Sequence, residues 1–188
     1  MEPFSLIALI LYATLFGACM KIADLLDEHG LKWFPGDKLL FGILWGLFGI
    51  LLIWSRQDIA NIFLARILVY IPRKRLDYFN HALAAVMIIV TFLWKTTLTP
   101  GYFHPLLFII FFGIFFIFGT LRDYQGNKEN KKNALFVINE FALYHIIATL
   151  VYSIIIKDFT PFLVATTAQL SYNLIKYSFY MKGWTQEL

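Results

Sequence analysis

LFIIFFGIFFIFGTL, residues 107–121, runs without a charge into RDYQGNKENKK, residues 122–132. A carboxylate, a glycine, amides and several cations therefore gather where a hydrophobic helix leaves a bilayer. Arg122 and Asp123 abut the apolar run, where desolvation makes unpaired charge costly. That position points to a polar site at the membrane surface; the lysines alone would equally suit a solvated loop. A second apolar run starts at Ala134.

Working outward, hydrophobic residues make up 60% of the 188 positions, Phe occurs 20 times and the mean hydropathy is +0.68. A soluble domain of this length cannot hide that much apolar surface. The expectation is an all-α polytopic membrane helix bundle, one integral membrane domain over residues 1–188, in contact with membrane lipids. A net charge of +4 and a pI near 9.1 raise nucleic acid as a partner. The cations are spread over loop positions, however, and topology explains them better. Cys19 is alone and lies in an apolar run, so it forms no intramolecular disulfide. Glu2 sits where a signal peptide would be basic, so the first segment is expected to stay as an anchor.

Apolar periodicity divides the chain into about seven transmembrane segments: 4–22 (helical to 28), 39–54, 58–71, 76–94, 107–121, 134–156 and 161–180. The third is short and contains Arg66. Alternate loops then place twelve cations on one side: Lys21, Lys32, Lys38, Arg73, Lys74, Arg75, Arg122, Lys128, Lys131, Lys132, Lys176 and Lys182. The other side receives Arg56, Lys95 and Lys157. Twelve against three predicts a cell-membrane protein with the N-terminus outside and the C-terminus in the cytoplasm.

In that layout Asp24, Asp27, Glu28, Asp77, His81, Arg122, Asp123 and Asn127 gather at cytoplasmic helix ends. Asp24, Asp27 and Glu28 share a helix face by their spacing. Carboxylates brought together repel unless a cation sits among them, and oxygen ligands suit Mg²⁺. Arg73, Lys131 and Lys132 would hold a diphosphate or lipid headgroup. The plainer alternative pairs each acid with a lysine at a wet interface. Asp77 and His81 have i, i+4 spacing, but four histidines placed as here are too few for zinc, and His81 reads as a helix-packing residue. Glu140 lies within the sixth segment at a depth comparable to Arg66, and the two are expected to pair. With His145 they alternatively suggest a small transporter or ion pathway. No phosphate-binding loop or nucleophile elbow is present.

Asp123-Tyr-Gln-Gly126-Asn127-Lys-Glu-Asn-Lys131-Lys-Asn-Ala134-Leu135 resembles the second aspartate motif of the UbiA-type intramembrane prenyltransferases, Asp-x-x-Gly-Asp-x-x-x-Gly-x-x-Thr-Leu. Asp24-x-x-x-Glu28, four spans earlier, is similar to their first motif. Asn127, Lys131 and Ala134 stand where that family has Asp, Gly and Thr, and the chain is shorter. The resemblance implies a distant relative with a bundle around a lipid-filled cavity, binding a prenyl diphosphate with Mg²⁺ at the cytoplasmic mouth. Asp24, Glu28 and Asp123 would be catalytic, with Asp27 added to them as a metal ligand. Arg122, Asn127, Lys131, Lys132 and Arg73 would bind the diphosphate. The enzymatic form would be a Mg²⁺-dependent prenyltransferase; a non-catalytic assembly partner is the other outcome.

Overall fold

Residues 57–68 are the pivot of the computed structural model, which describes residues 4–28, 30–126, 138 and 141–181. Seven helices are present among them: α1 (Leu6–Glu28), α2 (Asp37–Ser55), α3 (Gln57–Leu68), α4 (Phe79–Leu98), α5 (Pro105–Gly126), α6 (Leu143–Ile156) and α7 (Thr160–Met181). No strand occurs in the described residues. Four of the helices, α1, α2, α4 and α5, are long and apolar enough to cross a membrane.

Every residue from Ile59 to Ile67 is buried. A helix that is apolar nearly all round belongs inside protein, and α3 packs on α2, α4, α5 and α7. Its shortness follows from that place. Twelve residues rise only about 18 Å against a hydrocarbon layer of about 30 Å. An interior helix has no lipid to match, and the space beyond its C-terminal end is left for other side chains. The centre of the bundle is thus occupied by α3, in place of the lipid-filled interior that the resemblance implies.

Small residues bring the outer helices close. Gly42, Gly46 and Gly49 form a stripe on α2 where an added Cβ would strike Asn80, Met87 and Ile88 of α4. Gly17 of α1 meets the Ala168 carbonyl of α7 in the same way, and Ser171 Oγ donates to the Thr14 carbonyl at 2.6 Å. α7 falls outside the four apolar spans because it carries Gln169, Ser171 and Asn173. All three are buried, turned toward protein instead of lipid. Large apolar side chains such as Val90, Leu93, Ile109, Ile117 and Leu174 are exposed. A bilayer would cover them.

Two segment boundaries and one loop assignment differ from the expectation. α4 opens at Phe79 instead of residue 76. Extended Tyr78 precedes it, and the chain turns tightly through residues 70–75, Arg75 N–H donating to the Tyr70 carbonyl at 2.9 Å. Asp77 is left exposed before the helix. The run 134–156 is not one helix: Phe141 and Ala142 form a turn, with Ala142 in the left-handed region (φ 51°). Such backbone is costly for a residue with a Cβ, and it starts α6 afresh at Leu143. Lys21, expected in a loop, lies buried within α1.

At the end of the bundle away from Ala142, polar groups are matched. Arg56 Nη2 lies 2.8 Å from Asp58 Oδ2 and 2.7 Å from Asp158 Oδ2, tying the α2–α3 junction to the α6–α7 loop. Asn61 of α3 donates to the Gln57 and Tyr102 carbonyls and accepts from His104 N–H at 2.9 Å. Burial without stray polar atoms needs this kind of full pairing.

Candidate functional site

A cavity of about 220 Å³ opens at the other end, beyond the C-terminus of α3. Residues from the C-terminal parts of α1, α3, α5 and α7 and the N-terminal parts of α4 and α6 line it. Neighbouring helices must alternate in direction for these ends to meet, as the loop charges require. Six lining residues are cationic: Lys21, Arg66, Arg73, Arg75, Arg122 and Lys176. Among the described lining residues two are carboxylates, Asp24 and Asp123.

Asp123, at the end of the apolar run that opened the sequence, receives a fork from the α3–α4 turn. Arg73 Nε donates to Oδ2 at 2.9 Å and Nη2 to Oδ1 at 3.0 Å, while Arg75 Nη2 donates to Oδ1 at 2.6 Å. Bidentate pairing of this kind fixes a guanidinium in one plane. Gly119 makes room for it: a Cβ there would collide with the Arg73 guanidinium. One turn of α5 therefore supplies both the seat and the counter-charge.

Asp24 also lines the cavity and is 6% exposed. Its Oδ1 is 2.9 Å from His81 Nε2, and its Oδ2 accepts from Tyr172 OH at 2.8 Å, with Lys21 Nζ at 3.6 Å. The carboxylate that serves His81 is thus Asp24 from α1, and not Asp77, the neighbour on its own segment. His81 is held edge-on by Trp45 and Tyr78. A buried carboxylate with three polar neighbours avoids the cost of a lone buried charge.

Arg66 emerges from the last turn of α3 and is 4% exposed. Its Nη2 donates to Gln169 Oε1 at 3.2 Å, and its guanidinium lies 5.7 Å from the centre of the Phe16 ring. Its Nε is buried with no partner among the described residues. A cation in the last turn complements the C-terminal end of the helix dipole. Glu140, the carboxylate expected beside it, lies outside the described residues. The left-handed turn at Ala142 brings the start of α6 to the cavity, so that Tyr144 and His145 line it.

The expected set is therefore partly assembled. Asp24, Asp123, His81, Arg66, Arg73 and Arg122 share the cavity. Asp27 does not: it faces the α1–α2 loop, with Lys38 Nζ 2.9 Å from its Oδ1. Spacing placed it on a face with Asp24, but three residues turn a helix by only about 300°, and Asp27 follows the other side. Asp77 also stays out, because α4 starts after it. The Glu28 side chain, Asn127, Lys131 and Lys132 lie outside the described residues. Among the described residues no group of three or more His, Cys, Asp or Glu is placed to hold a metal ion. Of the residues expected to hold Mg²⁺, Asp24 and Asp123 share the cavity, Asp27 does not, and the Glu28 side chain lies outside the described residues.

Tyr172 and Gln169 were not singled out from the sequence. Their signal was present as a cluster of polar residues, Gln169, Ser171, Tyr172 and Asn173, inside an otherwise apolar segment. No family model, curated protein or solved structure matches the chain.

Proposed function

We propose that the chain binds the phosphate or diphosphate group of a lipid at the membrane surface, in the cavity between Asp24 and Asp123. The observation that carries this reading is the lining charge: among the described residues, six cations and two carboxylates line one small cavity. Guanidinium forks suit phosphate oxygens, and Arg73 already grips a carboxylate in that geometry, with Arg75 adding a single bond. The N-terminus of α6 adds favourable backbone dipole for an anion. In this reading all seven helices traverse the membrane, α3 within protein, and the cavity faces the cytoplasm. The twelve-to-three loop cations support that orientation. A cysteine placed at Trp33 should label only from the cytoplasm, and one at Leu98 only from outside.

A prenyl diphosphate is the form of ligand that the prenyltransferase resemblance implies. Departure of its diphosphate develops negative charge, which Arg66, Arg73 and Arg75 are positioned to stabilise. Binding is tested first, with inorganic diphosphate and purified protein in nanodiscs. At a hundred times its Kd the ligand should stabilise the fold by about 2.7 kcal/mol. Arg73→Ala should abolish the rise in Tm, and Arg56→Ala at the far end should retain it. A wild type that neither binds diphosphate nor shifts in Tm defeats the proposal.

A further inference from the structure

α5 and α6 do not close against one another along their outer faces. A groove of about 590 Å³ lies between them, lined among others by Ile110, Ile114 and Phe118 of α5 and Tyr144, Ala148 and Val151 of α6. Successive residues on each wall are three or four apart, so each helix presents one continuous apolar stripe. From Leu107 to Phe118 the groove follows α5 for about 16 Å. Tyr144 lines both this groove and the cationic cavity. Its ring stacks on Phe118, 5.5 Å between centres, at the point where the two spaces meet.

An apolar groove that shares Tyr144 with a cationic cavity matches the polarity of a single-chain amphiphile. We infer that the α5–α6 groove holds the hydrocarbon chain of the lipid whose phosphate end occupies the cavity, the chain entering sideways from the bilayer past Tyr144. This inference rests on the phosphate-binding reading of the cavity. It adds the ligand's class, an alkyl or polyprenyl phosphate or diphosphate, and its path. The groove adds position more than affinity. Lipid tails are as apolar as the groove wall, so moving a chain from one to the other releases little free energy. What the groove provides is a fixed line along which the phosphate end reaches Arg66 and Arg73. The reversed arrangement would leave the phosphate unpaired in apolar surroundings, because no cation lines the groove among the described residues.

The test uses decyl phosphate carrying a diazirine at the chain end, in phosphatidylcholine nanodiscs containing the full chain. Photolysis followed by peptide mapping should place label on Ile110, Ile114, Ile147 and Val151. Inorganic diphosphate at roughly ten times its Kd should reduce that label about tenfold by occupying the cavity. Ala148→Phe, which fills the groove, should remove the label while diphosphate binding persists; Val151→Trp, at an exposed position, repeats the test if the first variant fails to fold. Label spread evenly over the outward faces of α2, α4 and α5, and unaffected by diphosphate, overturns the inference. Absence of direct diphosphate binding to the wild type would instead overturn the cavity reading, and the two failures are separately visible.

Discussion

The two ends of the bundle handle arginine in opposite ways. At the far end Arg56 meets two carboxylates, Asp58 and Asp158, within 2.8 Å. At the cavity end Arg66 is more deeply buried, yet its described polar partner is the neutral amide of Gln169. Around it the described lining carries three times as many cations as carboxylates. The far end is a clasp whose charges complete one another. At the cavity end the buried Arg66 has a neutral described partner, an arrangement that costs desolvation without a described carboxylate to offset it.

Removing each arginine is the sharpest way to break this comparison. Arg56→Ala leaves Asp58 and Asp158 facing one another and should destabilise by roughly 3 kcal/mol, near the low end for a broken buried pair because Asp158 is partly exposed. Arg66→Met removes a buried cation and fills its volume with an apolar chain. It should leave stability within about 1 kcal/mol of wild type, or raise it, while weakening diphosphate binding. Reversible unfolding monitored by circular dichroism checks both. Equal losses at the two sites would show that Arg66 is structural in the same sense as Arg56.

Gly119 gives a smaller effect. A methyl group there pushes the Arg73 guanidinium off its seat, and Gly119→Ala should cost about 1–2 kcal/mol by overpacking. Its diagnostic is the coupling: a double cycle with Arg73→Ala should show strong non-additivity. Additive losses would mean that α5 does not position Arg73.

The smallest effect is on pH dependence at the clasp. Burial pushes the Asp158 carboxyl up, but the Thr160 backbone and hydroxyl and the Arg56 guanidinium outweigh it, holding the group below its usual value. A carboxylate depressed in the folded state contributes stability that is present above its unfolded pKa, about 3.9, and is lost as pH falls through the folded value. In Arg56→Ala part of the depression disappears, so the stability lost between about pH 5 and pH 3 should shrink. Denaturation midpoints at several pH values check this; an unchanged acid limb would detach Asp158 from Arg56.

Much of the fold was legible because hydrophobic burial and helical period are local. All seven segments found from apolar runs contain a described helix, and the alternation of loop charge agrees with the ends that meet at the cavity. The short third segment with its arginine looked weak as a membrane span for the reason it is sound as an interior helix: it has no lipid to match. The misreadings at Asp77 and at Phe141 and Ala142 arise where a tertiary turn overrides periodicity. Asp27 went astray because sharing a helix face in sequence does not fix which neighbour that face meets.

By itself the sequence determined that this is a helical protein with apolar segments fit for a membrane, and that Asp24, Arg73 and Asp123 sit at segment ends of one sidedness. Composition, period and the cost of charge in hydrocarbon are sufficient for that. Only the tertiary structure decided which charges pair. Arg73 and Asp123 are 50 residues apart and Asp24 and Tyr172 are 148 apart, yet each pair is within 3 Å. Coulomb energy and hydrogen bonding depend on separation in space and on local dielectric, and neither is written in the spacing of residues along the chain.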